Sequence, residues 1–261
     1  MATRRLLLVP ILVSILVSFA CKNDQPAPAA SPPGTAAQVA PAIDGAAPAV
    51  APASANPGIN NRYKTAEGRA ASVQVFEGSE RAAFQKPEDV IKRLKLEPGT
   101  VVADVGVGSG YMTLALAKAV GAKGKVYAED ITPGFLDEVR AKVTKAKLAN
   151  VEVMLGTETD TKLPHACCDV IFVLDTYHHF EWPDPMLASM KQALKPKGRL
   201  VIIEFHRKSN PMFEKLKIDY AKHIQLDDNQ VVAQIEKLGW TSLEKTDFPP
   251  YQYVAVFTPA T

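Results

Sequence analysis

Residues 101–110 read VVADVGVGSG, an apolar run from Val101 through Asp104 into three glycines, Gly106, Gly108 and Gly110. A residue without Cβ lets the backbone turn tightly and come close to a ligand. The run Tyr111-Met112-Thr113-Leu114-Ala115-Leu116-Ala117 follows directly and has helical character, so the order is strand, glycine loop, helix. In α/β proteins that order builds a nucleotide-binding turn, with amides at the helix start facing the ligand. A dinucleotide fingerprint, G-x-G-x-x-G counted from Gly106, needs a small residue where Tyr111 stands. This counts against a nicotinamide-dependent oxidoreductase.

Apolar runs recur downstream at intervals that leave room for helices: Val126–Asp130, Val151–Leu155, Asp169–Asp175 and Leu200–Phe205. Between them, Phe135, Leu136, Val139 and Val143 share one helical face, and Met186, Leu187, Met190 and Leu194 another. A further helix is predicted upstream over Pro87 to Leu96, with Pro87 in its first turn. Near-continuous apolar strands alternating with amphipathic helices predict a parallel sheet covered on both faces. The last part of the chain differs. A helix over Asn229 to Leu238, capped by Asp228 and stopped by Gly239, precedes strands Thr241–Asp247 and Tyr251–Phe257, joined by Phe248-Pro249-Pro250. So short a link permits only an antiparallel hairpin.

The residues Asp104-Val105-Gly106-Val107-Gly108-Ser109-Gly110 resemble motif I of the class I S-adenosylmethionine-dependent methyltransferases, written D/E-x-G-x-G-x-G. The resemblance covers about Phe76 to Phe257. It implies an α/β, Rossmann-like seven-stranded methyltransferase sheet, mostly parallel, with a C-terminal antiparallel hairpin and helices on both faces. Leu194-Lys195-Pro196-Lys197-Gly198 is similar to a family turn, with Gly198 leading into the strand that begins at Leu200. The implied cofactor is S-adenosylmethionine, with Asp104 and the glycine loop around its methionine part. Asp130, just before Ile131, is the residue the resemblance assigns to the ribose hydroxyls, ahead of its neighbour Glu129. Strand alternation places those two acids on opposite faces. In the loop Gly156-Thr157-Glu158-Thr159-Asp160, Glu158 and Asp160 compete for the adenine amine.

The fourth strand delivers Asp175-Thr176-Tyr177-His178-His179-Phe180, similar to the segment that borders both methyl donor and acceptor in small-molecule methyltransferases. Asp175 joins the cofactor residues, and Tyr177, His178 and His179 are the candidate catalytic residues. An imidazole, titrating at about 6.5, can take a proton from a hydroxyl or a polarised carbon acid near neutrality. A histidine that merely satisfies backbone groups at a helix start is the alternative. His206, after Glu204-Phe205, is a further candidate on the same rim, and Tyr63, Arg81 and Gln85 are open candidates for the acceptor side. The Asn/Asp-Pro-Pro-Tyr/Phe motif is missing after the fourth strand, which argues against amide and adenine amines, and the resemblance of this segment implies a small-molecule acceptor. A protein that keeps the fold and ligand without turnover is the rival reading.

No metal site is expected. His165, Cys167, Cys168, His178 and His179 are good ligand types, but Cys168 and His178 flank the fourth strand at opposite ends. At about 3.3 Å per residue they stand on the order of 25 Å apart, against bonds of about 2 Å to one zinc ion. The adjacent cysteines read as two thiols rather than a disulfide framework.

Met1-Ala2-Thr3-Arg4-Arg5, the apolar run Leu6 to Ala20 and Cys21 predict a signal peptide over 1–21. Val17-Ser18-Phe19-Ala20-Cys21 resembles a bacterial lipobox, which implies a lipid on Cys21; plain cleavage after Ala20 is the alternative. The chain is expected to be exported to the periplasm and anchored to a bacterial membrane. Residues 22–59, rich in Ala and Pro, are expected to form a disordered tether, and 60–261 the methyltransferase domain. A net charge of +2 with dispersed basic residues argues against a nucleic-acid partner.

Overall fold

The computed structural model describes residues 53–260. The expected signal peptide, Cys21 and most of the expected tether lie outside the described residues. The strands are β1 (Val101–Val105), β2 (Lys125–Asp130), β3 (Val151–Leu155), β4 (Cys168–Leu174), β5 (Leu194–Phe205), β6 (Trp240–Phe248) and β7 (Gln252–Pro259). The helices are α1 (Ala66–Phe76), α2 (Ser79–Gln85), α3 (Pro87–Leu94), α4 (Thr113–Val120), α5 (Pro133–Lys145), α6 (Pro183–Ala193), α7 (Pro211–Leu216), α8 (Tyr220–His223) and α9 (Asp228–Lys237).

All seven strands form one sheet in the order β3-β2-β1-β4-β5-β7-β6. The first five strands are parallel, and β7 runs antiparallel between β5 and β6. The C-terminal hairpin therefore inserts its second strand into the sheet and leaves its first at the edge. Alternate residues feed two cores: Ala103, Ile171 and Ile202 meet Leu187, Met190 and Ile235 on one face, while Val102, Phe172 and Val201 meet Leu94, Leu116 and Val120 on the other. Because both faces are covered, the strands read as continuous apolar runs.

Several local expectations are corrected. The helix after the glycine loop begins at Thr113, because residues 108–112 are spent in the turn. The N-cap of α9 is Asp227 instead of Asp228: its side chain accepts from Gln230 N–H, and Gln230 reaches back to complete a capping box. Strand β5 starts at Leu194, so Gly198 lies within it and not at a turn before it. A Cβ on Gly198 would come within 3.0 Å of the Cys168 carbonyl and 2.8 Å of Leu194, beside the register shift between Cys168 and Val170. Glycine is there for close approach.

The strand order reverses between β1 and β4, whose carboxyl ends therefore open a crevice. Over it lie α1, α2, α7 and α8, joined to the end of β5 by a separate apolar cluster that includes Val75, Phe84, Phe205, Phe213 and Ile224. The chain also takes part in the fold before the expected boundary at Asn60: Ala55 N–H donates to the Glu181 carbonyl at 2.7 Å, and Ser54 to the Glu181 carboxylate at 3.0 Å.

Candidate functional site

One cavity occupies the crevice, running from the glycine loop to the residues after β4. The loop leaves β1 with Gly106, Gly108 and Gly110 at φ +73°, +52° and +80°, the left-handed region that favours glycine. Their surroundings differ. A Cβ on Gly106 would strike Thr176 at 2.1 Å, whereas one on Gly108 would meet nothing nearer than Phe76 at 3.7 Å. Gly108 thus faces open cavity. From outside, Lys142 of α5 holds the loop through the Ser109 carbonyl at 2.6 Å, and Ser109 Oγ donates to Glu77 at 2.6 Å.

Three carboxyl groups gather beneath the loop. Asp104 accepts from Thr113 Oγ1 at 3.1 Å, and burial raises its pKa to about 7 despite that bond. Asp130 accepts from Gly108 N–H at 2.9 Å through Oδ2 and from Thr132 N–H at 2.8 Å through Oδ1. Burial lifts its pKa, opposed by those donors. Glu129 is fully buried and pushed well above the carboxylate range, first by burial and then by Asp130. Its Oε1 has no protein partner, nor has the buried hydroxyl of Tyr111. Glu129 and Asp130 face opposite sides of β2, yet both reach the cavity.

Asp175, at φ +50°, turns the chain out of β4. It accepts from Arg81 Nη2 at 3.0 Å and from Gln252 at 2.5 Å. Burial brings its pKa up to about 7, with Arg81 pulling the other way. The Arg81 guanidinium also lies 4.5 Å from the ring centre of Tyr111. Tyr63 and Arg81 line the cavity, whereas Gln85 is occupied with Gln252 at 3.1 Å.

His178 and His179 also line the cavity, and His223, which ends α8, joins them. His178 Nδ1 lies 2.9 Å from Glu204 Oε2, and His178 Nε2 lies 3.1 Å from His223 Nε2. His179 Nδ1 is 3.0 Å from Asn60 Oδ1, while the Asn60 amide donates to the His179 carbonyl, also at 3.0 Å. Burial and the neighbouring rings hold His179 well below the usual imidazole range and lower His223 to about 3. Both are neutral at pH 7. Phe213, Leu216, Ile218 and Phe180 supply apolar wall at this end.

Three expected site residues stand elsewhere. Tyr177 is buried with its hydroxyl donating to Gln234 at 3.0 Å, because the turn over Tyr177–His179 sends its ring into the core between β4 and α9. Asp160 is not in the cavity: its carboxylate accepts from Lys162 Nζ at 2.6 Å, Lys162 N–H at 2.9 Å and Ser189 Oγ at 2.9 Å. Glu158 lines the cavity instead. His206 sits behind the rim, 3.4 Å from Asp247. The expectation of no metal-ligand set took no account of His223, which belongs to no periodic pattern. Glu204 carried a legible signal, since a carboxylate inside an apolar strand needs a partner.

The fold and cavity define an α/β protein of nucleotide-binding type, with acidic side chains and an open glycine cradle converging on one crevice. The family described as a methyltransferase domain matches residues 102–198. The demethylmenaquinone methyltransferase of Geobacillus sp. (strain WCH70) is 30% identical over 165 residues, covering 62% of this chain and 70% of that protein. The ubiquinone/menaquinone biosynthesis C-methyltransferase UbiE of Teredinibacter turnerae is 33% identical over 121 residues, covering 46% of this chain and 49% of that protein. A crystal structure of an S-adenosylmethionine-dependent methyltransferase from Aquifex aeolicus superposes with a TM-score of 0.62 and 29% identity, over 71% of this chain and 97% of that one. The chain belongs to the S-adenosylmethionine-dependent methyltransferases. Its cofactor is S-adenosylmethionine and its acceptor a small molecule.

The residues present fit that cofactor. Gly108 leaves room for it, and Glu129 Oε1 and the Tyr111 hydroxyl are buried polar atoms without protein partners. Asp104 and Asp130, the acids expected at its methionine part and ribose, both line the cavity.

Proposed function

We propose that the acceptor is an apolar, hydroxyl-bearing aromatic ring of quinol type, methylated on a ring carbon. The observation that carries this reading is the continuity of the cavity. A cofactor at the glycine loop and a flat ring among Phe213, Leu216 and Ile218 would share one chamber, with the three histidines beside the ring. The names of the matched relatives point the same way, since they act on demethylmenaquinone and in ubiquinone or menaquinone synthesis.

The bound cofactor supplies an electrophilic sulfonium methyl. The chain supplies position and proton handling. Asp104, Asp130 and the glycine loop fix the donor, while the apolar wall and the lid helices exclude water and orient the acceptor. The histidine cluster, with His178 held by Glu204, favours loss of the hydroxyl proton and so raises electron density on the neighbouring ring carbon. With the donor held in line, that carbon would receive the methyl, and a ring nitrogen of the histidine cluster would take the ring-carbon proton as aromaticity is restored.

The membrane-anchored location is likewise a proposal, supported by the lipobox-like Val17–Cys21 and by the lipid solubility of such an acceptor.

Incubation with methyl-labelled S-adenosylmethionine and reduced, short-chain naphthoquinols, beside catechols and small carboxylates, tests the acceptor class. Label on a quinol ring carbon is the expected result. Transfer to the carboxylates alone, or to a catechol oxygen alone, would overturn it.

A further inference from the structure

We propose that His178, His179 and His223 form a binding site for one divalent transition-metal ion of zinc type at the acceptor end of the cavity. The inference rests on the reading above, in which the far end of that cavity receives the acceptor. One ring nitrogen from each histidine lies within 4.8 Å of the other two. The Nε2 atoms of His178 and His223 are 3.1 Å apart, close to the edge of about 3.3 Å between two ligands of a tetrahedral ion bonded at about 2.0–2.1 Å. The third corner, from His179, lies within 4.8 Å, so that ring must shift toward the other two for an ion to bind.

The surroundings are those of metal ligands. A ligating histidine donates its second ring N–H to an oxygen, which fixes both the tautomer and the ring orientation. His178 Nδ1 has Glu204 Oε2 at 2.9 Å, and His179 Nδ1 has Asn60 Oδ1 at 3.0 Å. His178 and His179 are therefore left with Nε2 as the ligand atom, and in the metal-free protein His178 Nε2 faces His223 while His179 Nε2 lies 3.5 Å from the Tyr63 hydroxyl, contacts that an ion would replace. The supporting groups are themselves held: Glu204 accepts from Phe205 N–H at 2.7 Å and His178 N–H at 3.2 Å. Asn60 is oriented by donating to the His179 carbonyl at 3.0 Å.

A hydrogen bond between His178 and His223 explains the short distance between that pair but not the third ring. Ring centres are 4.3 Å apart for His178 and His179 and 5.2 Å for His179 and His223. Three imidazoles without a carboxylate ligand suit zinc, copper, nickel or iron and disfavour magnesium and calcium, which require oxygen. Three protein ligands leave a fourth position free for a small molecule. The hydroxyl oxygen of the acceptor would enter it: the O–H bond breaks, the proton leaves to solvent and the oxygen pair binds the ion. His178 is then one of the three ligands of the ion.

The test uses the full chain without a histidine tag, stripped by a chelator and titrated with Zn²⁺, and separately with Co²⁺, whose visible spectrum reports tetrahedral nitrogen ligation. One ion per chain is expected. His223→Ala and His179→Ala should each weaken binding at least tenfold, and Glu204→Gln about 10–100-fold, the scale of a lost supporting contact. Retained affinity for S-adenosylhomocysteine shows that each variant is folded. Absence of stoichiometric binding to the wild type, or unchanged binding by both histidine variants, overturns the site. Methyl transfer at full rate by metal-free protein overturns its role in activating the acceptor. The two readings fail separately: metal-loaded protein that binds S-adenosylhomocysteine but methylates no quinol refutes the acceptor class and leaves the metal site standing.

Discussion

Arg81 Nη2 lies 3.0 Å from Asp175 Oδ2, with only 8% and 7% of the two side chains exposed, so lid helix α2 is tied to the end of β4 by a buried ion pair. Removing one partner leaves the other charge without compensation. Arg81→Met should therefore lower stability by about 3 kcal/mol at pH 8. The loss should shrink at pH 6, where the Asp175 carboxyl, already raised to about 7, takes up a proton. Arg81→Met combined with Asp175→Asn should recover most of it. Denaturant unfolding at both pH values checks this, and an equal loss at each would mean that Asp175 is not the unpaired charge.

Gly106 and Gly108 should respond differently to substitution. Gly108→Val adds a side chain to open cavity at a left-handed φ, so about 1–2 kcal/mol of stability is lost while S-adenosylhomocysteine binding disappears. Gly106→Ala drives a methyl into Thr176 and should damage folding as well as binding. Calorimetric titration beside thermal unfolding separates the two, and undiminished affinity in folded Gly108→Val would remove the loop from the cofactor site.

Cofactor affinity should rise with pH up to about 7 and then level off. The Asp104 carboxyl is raised to about 7 in the ligand-free protein, above its unfolded value of about 3.9. The folded state therefore binds the extra proton, and the stability it contributes at low pH is lost as pH rises from about 4 to about 7. A cationic ligand favours the ionised form, so binding below pH 7 releases a proton. Titrations in buffers of different ionisation enthalpy measure that release. Asp104→Asn should reduce it, and proton-neutral binding at pH 6 would contradict the assignment.

Asp130→Ala should weaken S-adenosylhomocysteine binding by about 1–3 kcal/mol, because it removes a candidate ribose acceptor and the partner of Gly108 N–H together. Glu129→Gln should cost less affinity and raise the melting temperature of the ligand-free protein, since it replaces a buried carboxyl carrying an unpartnered oxygen. Calorimetry and thermal scans rank the two, and the opposite order of affinities would make Glu129 the principal contact.

If Cys21 carries lipid, Cys21→Ala should move the mature protein from the membrane fraction to the soluble one, because the rest of the N-terminal segment has no apolar stretch to hold it. Fractionation after signal removal checks the proposal, with continued membrane retention as the contrary result.

The sheet was legible in the sequence because each central strand is apolar on both faces, and Val101–Val105 and Val151–Leu155 have the limits that their apolar runs predict. The glycine loop was legible for a related reason: three left-handed turns in five residues leave little choice but glycine. Local chemistry also set Pro87 in the first turn of α3. The acceptor end was not legible. His178 and His179 meet His223 only because α8 folds back over the end of β4, and His223 lies in a stretch without periodicity. Asp160 and Tyr177 had plausible positions along the chain but were claimed by Lys162, Ser189 and Gln234, partners that tertiary packing brought to them. The sequence by itself determined the elements and the cofactor loop, whose causes are local: side-chain periodicity and backbone freedom. Which carboxylates and imidazoles share a cavity was decided by contacts between residues far apart in the chain, and those depend on how the lid helices pack over the sheet.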